Sequence, residues 1–291
     1  MNLLKPFSYM VKPHLHGPRL SPSRLIRRTW MLCSTSPLFR PDGLPPAAPE
    51  DAGLTGFVCV RTEASDGIAT TSWYRPPDQE KAPIVVLCHG RRGHIGKNLN
   101  RALTFLDAGC GVFLLGYRGY GGNPGRASEQ GLIRDLEGAL EWLNAEGTPN
   151  ADIVLYGRSL GSGVVVPVAA RSRFRGVILG TPISSIPDVA ARTHPRIPSS
   201  LLGWMKFNNL DLIGSVCCPI LMLHGQKDTI VPPACALKLY QRADAPKAIV
   251  WFSEGRHTDL YRLHGADKSV RDYLMALRNG TDMTRWTPPE L

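Results

Sequence analysis

The 291-residue sequence has no unbroken apolar run of the ~18–20 residues that a membrane-spanning helix needs, which argues against a transmembrane helix. A secretory signal is not expected either, because Pro6, Lys12 and Pro13 interrupt the start before any apolar core can form. No CxxC pair occurs, and the seven cysteines (Cys33, Cys59, Cys88, Cys110, Cys217, Cys218 and Cys235) are odd in number and scattered. That pattern argues against a disulfide framework or a zinc site, and it predicts reduced thiols in a cytoplasmic setting. Acidic residues are missing before Asp42, whereas residues 1–50 hold seven basic residues and nine prolines. With only Asp42 and Glu50 opposing them, half of the net charge of +10 falls in this segment. The other half is spread over the remaining chain, so no nucleic-acid surface is expected. The prolines spoil amphipathicity. Residues 1–50 are therefore expected to be a poorly ordered, basic, Pro-rich extension, with peripheral membrane contact through it as the alternative.

With 43 % apolar residues and 20 % charged, the chain has enough apolar material for a full core. From about residue 55, short β-type runs alternate with helical ones. Gly56–Thr62 and Ala69–Tyr74 flank Ser65-Asp66-Gly67 and read as an antiparallel hairpin. Ile84–Cys88, Val112–Leu115, Ile153–Tyr156, Gly176–Leu179, Ile220–Leu223 and Ala248–Phe252 read as further strands. Lys97–Leu106, Ser128–Asn144, Leu160–Arg171 and Ala266–Arg278 read as helices. In the second of these, Leu132, Leu136, Ala139, Leu140 and Leu143 form one continuous face. The alternation predicts an α/β fold: a mostly parallel central sheet with helices on both faces. The expected organisation is an extension over 1–50, a catalytic domain over 51–280 and a short tail over 281–291.

Gly157-Arg158-Ser159-Leu160-Gly161 fits G-x-S-x-G, a pattern that about one chain of this length in ten carries by chance. Its context adds weight, since a strand ends at Gly157 and an apolar, small-residue helix follows. A sharp strand-to-helix turn of this kind, a nucleophile elbow, lifts the serine oxygen above the sheet. Serine needs a base held by a carboxylate, in the chain order Ser, acid, His. Asp228 stands in the loop after Ile220–Leu223, and His257 in the loop after Ala248–Phe252. All three residues thus fall past strand ends on one edge of the sheet. Asp211 and Glu254 are weaker candidates for the acid: Asp211 follows no strand, and Glu254 stands too close to His257 in the same loop. The oxyanion hole is expected from the backbone N–H groups of Leu160 and Arg91. Arg92 and Tyr117 are expected to meet substrate. His89 and His224 read as positioning or packing residues, and His94, His194 and His264 carry no readable role.

These motifs resemble the α/β-hydrolase superfamily. The resemblance is carried by Gly157-Arg158-Ser159-Leu160-Gly161-Ser162-Gly163, His89-Gly90, Tyr117-Arg118-Gly119-Tyr120-Gly121, His224-Gly225-x-x-Asp228 and Glu254-Gly255-x-His257-x-Asp259-Leu260. More narrowly, the chain is similar to the abhydrolase-domain serine hydrolases that include the eukaryotic protein depalmitoylases. The similarity runs from about Leu38 to Gly280 and includes the early Asp66-Gly67 and Trp73-Tyr74-x-Pro76. It implies Ser159 as nucleophile, Asp228 as acid and His257 as base, with no metal and no organic cofactor. Arg91-Arg92-Gly93 stands where the family usually has a small neutral Asn-Ala-Gly.

About 40 residues separate Gly176–Leu179 from Ile220, too few for a large lid. A short helical flap containing Pro195, Pro198, Leu201, Leu202, Trp204 and Phe207 is expected. A weakly covered site of this kind suits acyl-chain or small-molecule esters. The sequence therefore predicts a serine hydrolase that cleaves carboxylic ester or thioester bonds. A peptide or amide hydrolase of the same fold is the first alternative, and a catalytically inactive binding protein the second. A phosphate-binding loop is rejected, because Arg91 and Asn98 fall where its first glycine and its Ser or Thr belong.

Overall fold

The computed structural model describes residues 38–45, 48–79, 82–193 and 207–288. Most of the basic extension, including Cys33, lies outside the described residues. So do Pro195, Pro198, Leu201, Leu202 and Trp204 of the expected flap.

Eight strands form one sheet in the order β1-β2-β4-β3-β5-β6-β7-β8. They are β1 (Val58–Glu63), β2 (Ala69–Arg75), β3 (Ile84–Cys88), β4 (Gly111–Leu114), β5 (Ile153–Arg158), β6 (Gly176–Gly180), β7 (Ile220–Gly225) and β8 (Lys247–Phe252). The hairpin β1–β2 is antiparallel and joins β4 antiparallel, and every pairing from β4 through β8 is parallel. Strands β3, β4, β6 and β7 are buried throughout, and β5 in all but Arg158, as apolar runs covered on both faces should be.

The side chains of β3 show how the layers divide. Ile84, Val86 and Cys88 face a core shared with Leu132, Leu136 and Leu143 of helix α2 (Glu129–Ala145) and with Val164 and Val165 of helix α3 (Ser162–Ala169). Val85 and Leu87 face the other core, against Phe105 of helix α1 (Leu99–Asp107) and Tyr273 and Leu274 of helix α8 (Ala266–Arg278). Period-two alternation thus sends one strand into two cores. Helix α2 begins where the sequence places it, with the Ser128 hydroxyl accepting the Gly131 N–H at 3.0 Å.

Between β6 and β7 stand α4 (Ile186–Thr193) and the single turn α5 (Asn209–Leu212). Two further helices, α6 (Pro233–Arg242) and α7 (Leu260–Leu263), go beyond the sequence reading. Phe39 is buried and packs edge-on against Phe207 at 6.2 Å. Within the segment expected to be a tail, Trp286 packs on Tyr273 at 5.3 Å. The described cysteines are all free thiols. No described helix is long and apolar enough to cross a membrane.

Candidate active site

Strand β5 ends at Arg158, and the chain reverses through a 3-10 turn, Ser159–Gly161, into α3. Ser159 sits in the left-handed region at φ 51, a strain on the order of 1–3 kcal/mol that the surrounding packing must hold. Glycine is obligatory at two points of this turn. A Cβ on Gly161 would lie 2.1 Å from the Cys88 carbonyl oxygen, and one on Gly157 would lie 2.8 Å from that of Gly161. The Ser162 hydroxyl ties the turn down. It donates to the Ser159 carbonyl at 2.6 Å and accepts from the Ile183 N–H and the Asn209 amide, each at 3.2 Å.

The other two residues arrive from the loops after β7 and β8. Asp228 is buried, and its Oδ1 accepts the backbone N–H groups of Ile230 at 2.8 Å and Val231 at 2.9 Å. Its Oδ2 lies 2.7 Å from His257 Nδ1. Burial pushes this carboxyl up, but the bond and charge interaction with His257 and the Val231 N–H outweigh burial and leave it below its ordinary range. An ionised carboxylate only accepts, so Nδ1 carries the proton. In the neutral ring the lone pair is then on Nε2, which stands 3.0 Å from Ser159 Oγ. Such a chain can take the serine proton as the hydroxyl attacks an electrophile.

The two rival acids face elsewhere. Glu254 is exposed and pairs with Lys227. Asp211 accepts from the Asn208 amide at 2.6 Å.

The segment after β3 passes beside the elbow, with the Gly90 Cβ position 3.5 Å from Ser159 Cβ. Three carbonyl anchors hold it. The Arg91 oxygen accepts the Arg40 N–H and the Tyr120 hydroxyl, each at 2.9 Å, and the His89 oxygen accepts the Tyr117 hydroxyl at 3.3 Å. His89 is buried between the rings of Tyr117 at 4.3 Å and Tyr120 at 5.2 Å. Its Nδ1 lies 2.7 Å from the Gly90 oxygen, and burial holds it down to about 4. Among the described residues, no three His, Cys, Asp or Glu stand close enough to hold a metal ion.

A family model described as serine aminopeptidase, S33, matches residues 79–212. An uncharacterized protein of Mycobacterium tuberculosis is 35 % identical over 208 residues, spanning 71 % of this chain and 74 % of the relative. The alpha/beta hydrolase domain-containing protein WAV2 of Arabidopsis thaliana is 29 % identical over 220 residues, spanning 68 % and 71 %. The chain belongs to the α/β-hydrolase superfamily. The esterase Pf2001 of Pyrococcus furiosus shares the fold, with a TM-score of 0.67 at 18 % identity over 81 % of this chain and 98 % of that one.

In this α/β hydrolase, His257 is within hydrogen-bond reach of both Ser159 and Asp228, Leu160 follows the serine in the elbow turn, and Arg91 follows Gly90, which passes beside the serine. Arg92 is exposed, and its backbone bridges to Arg40. Tyr117 differs from expectation. It is fully buried, and its hydroxyl is spent on the His89 carbonyl, so it braces the loop from inside. Arg158, unremarked in the sequence, reaches from the elbow to donate to the His257 carbonyl at 3.2 Å. Burial lowers this guanidinium to about 10. A variable position of G-x-S-x-G offers no local signal for a contact 99 residues away.

Proposed function

We propose that this α/β hydrolase is a serine hydrolase that cleaves carboxylic esters or thioesters through an acyl-enzyme on Ser159. The observation that carries this reading is the continuous chain from Asp228 Oδ2 to His257 Nδ1 at 2.7 Å and from His257 Nε2 to Ser159 Oγ at 3.0 Å. In the proposed reaction Ser159 Oγ attacks the acyl carbon while His257 Nε2 takes its proton, and Asp228 offsets the charge gained by the ring. The N–H groups of Leu160 and Arg91 receive the oxyanion. Collapse expels the alcohol or thiol, which leaves with the proton from His257. Water then repeats the sequence on the acyl-enzyme and releases the acid. Arg158 acts as a positioning residue for His257, and the anchors on the Arg91 carbonyl keep its N–H in place.

Amide cleavage is the second reading, favoured by the serine aminopeptidase description of the matching family model. The same groups serve it, with an amine as leaving group. A panel of p-nitrophenyl esters of graded chain length, acyl-thioesters and aminoacyl amides separates the two. The ester reading expects kcat/KM for the best ester or thioester to exceed that for any amide by at least a hundredfold, with the activity lost in Ser159→Ala. Faster turnover of aminoacyl amides would replace it with the amidase reading.

A further inference from the structure

A second, smaller pocket lies beside His257, where the ends of β5 and β6 meet helix α1 and the turn α7. Neither Ser159 nor Asp228 lines it. Its volume is about 10 Å3, room for one particle of the size of a water molecule.

Two cations stand in its wall. Arg101 of α1 and Arg158 of β5 both line it, both are half-buried, and no aspartate or glutamate joins them there. Arg101 Nε donates to the Tyr156 hydroxyl at 3.3 Å, and its guanidinium lies 4.6 Å over the Tyr261 ring. Arg158 Nη2 donates to the His257 carbonyl at 3.2 Å. Among the described residues neither guanidinium has a carboxylate partner. The sealed polar atoms that lack a partner include no nitrogen of either arginine, so the donors these bonds leave unused keep open surface. Like charges in one wall repel. Burial, and after it the Arg101 charge, lowers Arg158 to about 10. Asp228 opposes this through space, but its oxygens already serve Ile230, Val231 and His257. Cations drawn into a fold are normally paired, and no acid of the pocket fills that part here.

The missing partner must be an anion that accepts N–H donors from two sides within the volume of one water molecule. A carboxylate or a phosphate is too large for that space. We propose that the pocket binds one chloride ion between Arg101 and Arg158. The ion takes up the donors that the two side chains leave unused and ties helix α1 to the end of β5. Because Arg158 also holds the His257 carbonyl, the ion braces the loop that carries His257. The inference stands whether or not Ser159 is a nucleophile.

The test is 35Cl NMR line broadening on the full chain carrying Ser159→Ala, with bromide anomalous scattering from its crystals to place the ion. The expected result is a saturable broadening that bromide reverses, and a bromide peak between the two guanidinium groups. Acetate and phosphate should compete at least tenfold more weakly than bromide. Arg101→Gln and Arg158→Gln should each weaken chloride at least tenfold. Chloride should also raise the unfolding midpoint of the Ser159→Ala protein above that in sodium gluconate of equal ionic strength, a gain that Arg101→Gln removes. No saturable broadening, or a bromide peak only elsewhere on the surface, overturns the proposal, and the bromide position decides even if a glutamine variant fails to fold. Unchanged chloride binding in both folded variants overturns it too. Competition by acetate as strong as by bromide would replace the halide with a carboxylate.

Discussion

His89 is where buried chemistry and stability meet most clearly. Burial holds its imidazole down to about 4 against the ordinary 6.5, with the Gly90 carbonyl only partly offsetting this. Between those two values the unfolded chain takes up a proton that the native state refuses. Stability is therefore fully present above pH 6.5 and falls as the pH drops toward 4, by roughly 3 kcal/mol for this residue. His94 and His224 shift the same way and add to the slope. Urea midpoints of wild type and His89→Phe at pH 6.5 and 4.5 check this. The variant should lose less stability on acidification, and an unchanged slope would locate the acid sensitivity elsewhere. Asp228 behaves oppositely in sign. Its depressed carboxyl stabilises the fold above its ordinary value of 3.8 and loses that contribution only on further acidification. The catalytic candidates were legible one residue at a time, because each follows an apolar strand. Tyr117 was not, since nothing local distinguishes a tyrosine facing substrate from one bracing a carbonyl.

At the scale of elements, the structure depends on one ion cluster that no local pattern announces. Arg118, in the loop after β4, donates to Asp135 on α2 at 2.8 Å and to Asp66 in the β1–β2 turn at 2.6 Å. These partners lie 17 and 52 residues away, so the sequence shows Asp66 only as a turn residue. Arg118 bonding holds the Asp66 carboxyl well below its ordinary range, whereas burial drives Asp135 up to about 6 despite the same guanidinium. Removing the shared cation strands a buried carboxylate. Arg118→Met is expected to destabilise the protein by about 3–5 kcal/mol in urea unfolding, and a cost near zero would mean that the cluster is dispensable. The elbow supplies a second prediction. Gly161→Ala puts a methyl group 2.1 Å from the Cys88 carbonyl, so β3 and the elbow must part. A loss of about 3 kcal/mol is expected, with ester turnover falling further than stability alone explains. Helix α6 escaped the sequence reading for a related reason. It starts on a proline pair and buries only Cys235, Ala236 and Leu239, too short a stripe to reveal a period.

For the molecule as a whole, strand–helix alternation was readable, whereas the spatial order of the strands came only from their pairing. A small part of the net charge of +10 also acquires a location. Arg91 is half-buried, and burial together with Arg40 and Arg92 lowers its guanidinium, so three cations gather beside the proposed oxyanion hole. Replacing Arg91 and Arg92 by glutamine should raise KM severalfold for anionic esters and leave neutral esters nearly unchanged, while equal effects on both would remove charge as the selector. The proposed function rests on Ser159 being a nucleophile activated by His257. The most direct measurement is covalent labelling by a fluorophosphonate, with the modified residue located by peptide mass spectrometry. Stoichiometric labelling of Ser159 is expected in the wild-type protein, and none at that position in Ser159→Ala or His257→Ala. A folded wild-type protein that stays unlabelled, or one labelled at another residue, would contradict it.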